Sequence, residues 1–302
     1  MRCLLITDRA NWAYHSIAQS IKKYNDSDIK ITILHSKGDE KKIRHIYKKF
    51  DRILVMGWQT YKRIPFLPRN ITSVGIHSFH GWDNRKTTPE KNAIPPRKLM
   101  RFLSSFHSVN AVSKRLTNVF AKNGLKVVYT ANGVDTQIFR CISRPPIGKK
   151  IIIGYSGSKA HDWRKGVSKF ILPAAEKANV KVKIAMLSTN KYVPLTDMYK
   201  FYNRLDCYIC ASSSEGMSLS VLEAAACGRP IITTRVGGCT EIIKENETGF
   251  FVQRNTKEIS DKINLLKNVE MLQKMSHDIE NDIKQNWGWN KRSTSWLDFL
   301  RT

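Results

Sequence analysis

The stretch Ser212-Ser-Ser-Glu215-Gly-Met-Ser218-Leu-Ser-Val-Leu-Glu223-Ala-Ala-Ala-Cys-Gly228-Arg-Pro230 sets the architecture of this chain. It follows the apolar run Cys207–Ala211, which reads as a buried strand, and precedes a second run, Ile231–Thr233. The spacing between them predicts a helix over Leu219–Cys227. The loop that holds Glu215 therefore lies at a strand's carboxyl end. Ser218 stands where it can cap the helix. The first turn behind it offers backbone N–H groups to an anion such as a phosphate. Glu215 and, eight positions on, Glu223 add two carboxylates. Carboxylates accept hydrogen bonds from hydroxyls, so the pair suits a sugar ring and a ribose. The residues alone fit equally well with Glu215 capping a backbone turn and Glu223 facing solvent.

Outward from this segment, short apolar runs alternate with helical spacing in both directions. Strands are expected at Arg2–Thr7, Ile29–Leu34, Arg52–Met56, Thr72–Ile76, Val109–Val112 and Val127–Thr130, and again at Ile151–Tyr155, Val182–Leu187 and Phe250–Val252. Helices are expected at Tyr14–Tyr24, Lys41–Lys49, Lys114–Lys122, Val167–Ala178, Leu195–Tyr202, Thr256–Lys267 and Val269–Gln285. Such alternation predicts an α/β fold of parallel sheets with helices on both faces. The stretch Arg140–Lys150, with two prolines and a glycine, reads as a linker. Two doubly wound, Rossmann-like domains follow, at 1–145 and 146–286. The tail with Trp287, Trp289 and Trp296 is expected to form a helix (residues 287–302) that packs back on the first domain.

Composition narrows the classes. Of 302 residues, 41% are hydrophobic and 10% aromatic, enough apolar surface to offset the entropy of ordering and to exclude a disordered chain. No run approaches the roughly 18 apolar residues of a membrane span. The opening Met1–Thr7 reads as a strand and not as a signal peptide, so the expected location is the cytoplasm, with peripheral docking on the inner face of a membrane as the variant. The formal charge is +26. Residues 1–148 carry 27 Lys+Arg against 9 Asp+Glu, a net +18, and residues 149–302 carry 24 against 16, a net +8. That excess suits a polyanionic partner such as an anionic membrane surface, a nucleic acid or a phosphorylated substrate, with the membrane surface ahead of nucleic acid. A solvated Lys-rich surface explains the same numbers. Six cysteines form no disulfide framework. Cys207 and Cys210 match C-x-x-C but fall inside the expected strand, where core packing explains them.

The segment EGMSLSVLEAAACGRPIITTRVGG, with its E-x7-E spacing, resembles the retaining GT-B glycosyltransferases, specifically glycosyltransferase family 4. Val112-Ser-Lys-Arg-Leu116, Asn132-Gly-Val-Asp135, Lys165-Gly166, Thr234-Arg-Val-Gly237-Gly238 and Thr248-Gly249-Phe250 resemble further segments of that family in the same order. The likeness is dense over about 108–255 and weak before that. It implies two Rossmann-like domains facing a central cleft and a sugar moved from a nucleotide-diphosphate donor. The implied acceptor is a glycan or a lipid-linked molecule of the cell-surface polysaccharide, lipopolysaccharide or glycolipid type. The rival readings are a nucleic-acid-modifying transferase and a non-catalytic sugar- or nucleotide-binding protein.

The resemblance also implies roles. Glu223 would hold the ribose hydroxyls, Glu215 the hydroxyls of the transferred sugar, and Lys165 the diphosphate, with backbone N–H groups around Met217, Ser218 and Leu219. The family often has an arginine shortly after the glycine that ends the first strand of its second domain. Here Gly157 is followed by Ser158 and Lys159, so Lys159 would stand in for it, and a lysine is no equivalent of a bidentate arginine. Gly237 and Gly238 would let the backbone approach the donor. In the first half, His77 falls where similar enzymes place a histidine near the reacting sugar. A neutral imidazole there could donate to a hydroxyl or help move a proton. His80, Trp12 and His15 are the acceptor-side candidates, although Trp12 equally suits packing at a helix start. The family's glycine-rich loop after the first strand is absent. Asp26-Ser-Asp28 has the form of a D-x-D metal motif, but turn chemistry accounts for it. No metal and no cofactor is expected, the nucleotide-sugar being a substrate.

Overall fold

The computed structural model describes residues 1–79, 82, 94–143, 150–187 and 189–302. Described residues of 1–84, 92–133 and 289–302 form one compact unit, and those of 134–288 form a second. The division thus falls at 133/134 and 288/289, where the Pro-rich stretch had suggested 145/146. Most of that stretch, residues 144–149, lies outside the described residues.

The first unit is built on six parallel strands: β1 (Arg2–Thr7), β2 (Lys30–His35), β3 (Arg52–Val55), β4 (Thr72–Ile76), β5 (Ser108–Ala111) and β6 (Val128–Tyr129), in the order β2-β1-β3-β4-β5-β6. In β1 the residues Cys3, Leu4, Leu5 and Ile6 are all fully covered. A central parallel strand is packed on both faces and so reads as an unbroken apolar run. Helices α1 (Ala13–Lys23), α2 (Glu40–Ile46), α3 (Arg97–Ser104) and α4 (Lys114–Lys122) connect the strands. The spacing argument finds all but α3, which buries only Leu99 and Leu103 and leaves too short an apolar stripe to be seen. Ser113 caps α4 by accepting from the N–H of Leu116 at 3.3 Å.

The second unit has five parallel strands: β7 (Ile152–Ser158), β8 (Lys181–Leu187), β9 (Cys207–Cys210), β10 (Ile231–Thr233) and β11 (Gly249–Phe251), in the order β11-β10-β9-β7-β8. Its helices are α5 (Asp162–Lys165), α6 (Leu172–Lys177), α7 (Met198–Asn203), α8 (Leu219–Ala226), α9 (Cys239–Ile242), α10 (Thr256–Leu265) and α11 (Val269–Asn286). The expected helix over Val167–Ala178 opens as a π-helical turn, Val167–Ile171, before α6. Ile153, Tyr155, Cys207, Ile209, Ile232, Ile259 and Ile263 share the core. Cys207 and Cys210 lie buried in β9, and all six cysteines are free thiols.

The last helix, α12 (Trp289–Arg301), belongs to the first unit. Trp296 is fully buried and its indole N–H donates to the Ala131 carbonyl at 3.0 Å. Removing such a side chain to alanine costs about 3–5 kcal/mol. Gly133 accommodates the same helix, since a Cβ there would lie 3.0 Å from Trp289.

In each sheet the order reverses once, between β1 and β3 in the first and between β7 and β9 in the second. Ligands of doubly wound sheets settle beyond the carboxyl ends of the strands at such a reversal. Asp26 and Asp28 lie far from either, in the turn before β2. There Asn25 accepts from the Ser27 N–H at 3.0 Å, and Asp28 pairs with Arg301 at 3.3 Å. Among the described residues no group of three or more His, Cys, Asp or Glu is arranged to hold a metal ion. No described helix is long and apolar enough to cross a membrane.

Candidate active site

The reversal in the second unit gathers two segments. After β7 the chain makes a tight turn and the single-turn helix α5, which ends at Gly166 with φ 71°. That left-handed conformation favours glycine, and a Cβ there would press on Phe170 at 2.7 Å. Asp162 Oδ1 accepts from the N–H groups of Val167 at 2.8 Å and Ser168 at 3.1 Å, which fixes the following turn. Lys165 is thereby directed at the loop after β9. That loop is tied back in return: the Ser213 N–H donates to the Arg164 carbonyl at 2.9 Å, and Arg164 Nη1 donates to the Ser214 carbonyl at 2.6 Å. The Arg254 guanidinium joins both segments, donating to the carbonyls of Ala211 at 3.0 Å and Arg164 at 3.1 Å.

Glu215 sits at the centre and is buried. Its Oε1 accepts from Lys165 Nζ and, at 2.6 Å, from Ser212 Oγ, with Arg164 Nη1 at 3.7 Å. Burial alone would raise its pKa. The charges of Lys165 and Arg164, with the hydrogen bonds from Lys165 and Ser212, outweigh burial and hold the carboxyl below its ordinary value. It is a carboxylate compensated by two cations.

Glu223, one turn into α8, is the opposite case. Burial pushes its pKa up to about 7, and the hydrogen bond from Tyr202 only partly opposes it. Tyr202 Oη donates to Glu223 Oε2 at 2.8 Å and lies 3.0 Å from Ser156 Oγ, which in turn lies 3.1 Å from Tyr208 Oη. This chain of hydroxyls holds the carboxyl in a fixed pose. Neither bland reading stands: Glu215 is ion-paired, and Glu223 is partly buried and anchored.

One expectation is corrected. Ser218 occupies the N-cap position of α8 but its side chain caps nothing; the hydroxyl meets Ser220 Oγ at 3.1 Å instead. The α8 amino end, beside Met217 and Leu219, keeps the free N–H groups that any helix start has. Gly237 (φ 44°) and Gly238 serve the chain itself: a Cβ on Gly237 would collide with the carbonyls of Glu215 and Gly216, and one on Gly238 with the Met217 side chain. Gly157 likewise makes room for the Tyr155 hydroxyl. Lys159 is exposed on the turn after β7. The arginine that meets Glu215 is Arg164, whose only sequence signal was its place beside Lys165. Arg254, Tyr202 and Ser156 gave none, because their roles depend on tertiary meetings.

In the first unit, His77 follows β4. Tyr14 packs against it with ring centroids 4.7 Å apart and planes tilted by 59°, and Trp296 lies at 6.2 Å. Burial lowers its pKa to about 3, against the opposing pull of the Met56 carbonyl, so the imidazole is neutral. Its Nε2 is sealed from solvent without a hydrogen-bond partner among the described residues. Trp12, at the start of α1, is 38% exposed with the Arg9 guanidinium 3.4 Å from its ring centre, so it is no buried staple. His15 accepts from the Asn11 N–H at 2.9 Å and contacts Gln19 and the His35 ring, which makes it part of the helix start. His80 lies outside the described residues.

The family model described as glycosyl transferases group 1 matches residues 149–286. A trehalose synthase of Pyrococcus horikoshii is 25% identical over 217 residues, 70% of this chain and 50% of that protein. The capsular polysaccharide biosynthesis glycosyltransferase CapM of Staphylococcus aureus is 30% identical over 113 residues, 35% of this chain and 30% of that protein. The chain thus matches half or less of the length of these relatives. Among solved structures, HepE of Anabaena in complex with UDP and glucose superposes with a TM-score of 0.73 at 15% identity, covering 99% of each chain. The two parallel sheets and their helices are those of the GT-B fold.

Proposed function

From the match of residues 149–286 to the group 1 glycosyl transferases, we propose that the protein transfers a sugar from a nucleotide-diphosphate donor to a glycan or lipid-linked acceptor, with retention of anomeric configuration and without a metal. The observation that carries this reading is the buried Glu215 with Lys165 and Arg164 at the β7/β9 reversal, followed eight residues later by the anchored Glu223. Cations and a helix start suit a diphosphate, and the two carboxylates suit the hydroxyls of the sugar and the ribose. CapM, by its name a capsular polysaccharide enzyme, supports a glycan acceptor, and HepE, solved with UDP and glucose, supports a nucleotide-sugar donor.

In this reading the acceptor oxygen attacks the anomeric carbon while its bond to the diphosphate oxygen breaks, and the departing phosphate oxygen takes the acceptor proton. Lys165 and the α8 N–H groups stabilise the charge that develops on the diphosphate. Neutral His77 donates to a sugar hydroxyl on the acceptor side. The net +18 of residues 1–148 draws the enzyme to an anionic membrane face.

A thermal-shift panel of UDP-, GDP-, ADP- and TDP-sugars tests the donor, since a ligand that binds only the native state raises its stability. One nucleotide class is expected to raise Tm, and no response to any of them removes the reading. An inverted product anomer by NMR would sink the stereochemistry, and loss of turnover in EDTA the metal independence. Liposome binding indifferent to anionic lipid would remove the membrane face.

A further inference from the structure

Glu223 presents its two oxygens unequally. Oε2 accepts from the Tyr202 hydroxyl at 2.8 Å, whereas Oε1 meets no donor among the described residues and is not sealed from solvent. An ionised carboxylate only accepts hydrogen bonds, so the open oxygen suits a ligand hydroxyl. The side chain is thus held by one oxygen and open at the other.

What holds it can be followed inward. A phenol has one proton, and Tyr202 gives it to Glu223. The phenol oxygen therefore accepts from the Ser156 hydroxyl, 3.0 Å away. Tyr208 Oη lies 3.1 Å beyond Ser156 Oγ. It is pinned to the Ser156 backbone, accepting from the N–H and donating to the carbonyl, each at 3.2 Å. Side chains from α7, β7 and β9 thus form one chain of hydroxyls that ends on a single carboxylate oxygen, and hydroxyls in line polarise one another. Tyr202 is fully buried, and its ring meets those of Phe139, Phe201 and Tyr208 at centroid distances of 6.1, 5.5 and 5.8 Å. The phenol is fixed by this packing, and it fixes the carboxylate in turn. Its bond also opposes the effect of burial on Glu223 and so favours the ionised form, the stronger acceptor.

We propose that Tyr202 is a positioning residue that sets donor specificity: by holding Glu223 Oε2 it presents Oε1 to the ribose, so that the ribose hydroxyls of a nucleoside diphosphate are read only while the Tyr202–Ser156 hydroxyl chain is intact. The inference rests on the donor reading above for its ligand and adds the residue on which ribose recognition depends.

The test separates the ribose hydroxyls from the rest of the nucleotide. UDP, GDP, ADP and TDP are titrated calorimetrically against the natural protein, and whichever binds is compared with its 2′,3′-dideoxy form. The natural protein is expected to bind the form with hydroxyls about tenfold or more tightly, the scale of a hydrogen bond to a charged group. Tyr202→Phe keeps the ring and removes one oxygen. It is expected to weaken the hydroxylated form about tenfold and to leave the dideoxy form within about twofold. A merely structural role would weaken both forms alike. Ser156→Ala leaves Tyr202 in place and removes the donor behind it, so it should act in the same sense, by about threefold, and it gives the same decision if Tyr202→Phe does not fold. Equal losses for the two forms, or no loss for either, overturn the proposal. Equal binding of the two forms by the natural protein removes Glu223 as the reader of the ribose, and the proposal with it, while the diphosphate part of the donor reading stands. Binding of none of the four nucleotides overturns the donor reading itself.

Discussion

The carboxyl ends of the two sheets differ in what they leave unsatisfied. Within or after the strands of the first unit, the unspent atoms among the described residues include the acceptors Asp8 Oδ1, Asn110 Oδ1 and Asn132 Oδ1, the ring nitrogen His77 Nε2, which donates or accepts according to tautomer, and the donors Arg52 Nε–H and Trp82 Nε1–H. On β7 and the segments that follow β7 and β9 in the second unit, the unspent groups among the described residues are the Tyr155 O–H, Arg164 Nε–H and the Ser214 hydroxyl. Buried polar groups are rarely left without partners unless something else supplies them. Acceptors ask for a ligand rich in hydroxyls, and donors ask for an anion. One topology, used twice, has been given different unspent groups by a handful of side chains.

The largest effect expected from breaking this contrast is at Lys165. Lys165→Ala takes from the buried Glu215 the cation that hydrogen-bonds it, and removing one member of a buried pair costs about 3–5 kcal/mol. Tm should fall by several degrees and donor binding should be lost. Calorimetry that finds the variant as stable as the natural protein would mean that the pair is not a buried one.

Glu223 sharpens the comparison through pH. Its pKa is raised to about 7 by burial, so its contribution to stability is fully present below the ordinary carboxylate range and is lost as pH rises through about 7. Glu223→Gln should therefore gain Tm relative to the natural protein at pH 8 and show no gain at pH 4. A constant difference across that range would show that the carboxyl does not titrate there. Donor affinity should rise over the same window in the natural protein, because the ionised carboxyl is the better acceptor for ribose hydroxyls, and should be flat in Glu223→Gln.

His77 tests the first unit. His77→Ala should lower turnover by about tenfold or more, the scale of one lost hydrogen bond to a charge-developing group, while nucleoside-diphosphate affinity stays within about twofold. A matching loss of nucleotide affinity would erase the division of labour between the two ends.

The smallest effect is at Ser218. Because its side chain caps nothing, Ser218→Ala should cost well under the roughly 1 kcal/mol of a lost N-cap. Asn255→Ala should cost about that full amount, since its Oδ1 accepts from the N–H groups of Lys257 at 2.8 Å and Glu258 at 3.3 Å. Urea denaturation of the two variants measures the difference directly.

What could be read from the sequence follows from what is local. The strand–loop–helix order around Glu215, the eight-residue spacing to Glu223 and the buried run Cys207–Cys210 are properties of neighbouring residues, and the structure has them as read. The partners of those groups are not local. Arg164 reaches Ser214 across 50 positions, and Ser156 reaches Tyr208 across 52. No periodicity carries such meetings. The glycines show the same limit: Gly157 and Gly237 were visible as glycines, but what each makes room for is a side chain or a carbonyl brought there by the fold. Ser218 was misread because a residue type that suits a cap says nothing of the competing hydroxyl two positions on.

The position of α12 has a consequence for how the protein comes into being. The second unit is inserted in the chain between β6 and the helix that completes the first. A nascent chain that has reached Gly288 holds every residue of the second unit, yet the first still lacks Trp296 and the rest of the 13-residue helix. Domains usually mature during synthesis in the order in which they are made. Here the unit begun first is finished last, and until the final turn leaves the ribosome its core stands open where the indole belongs.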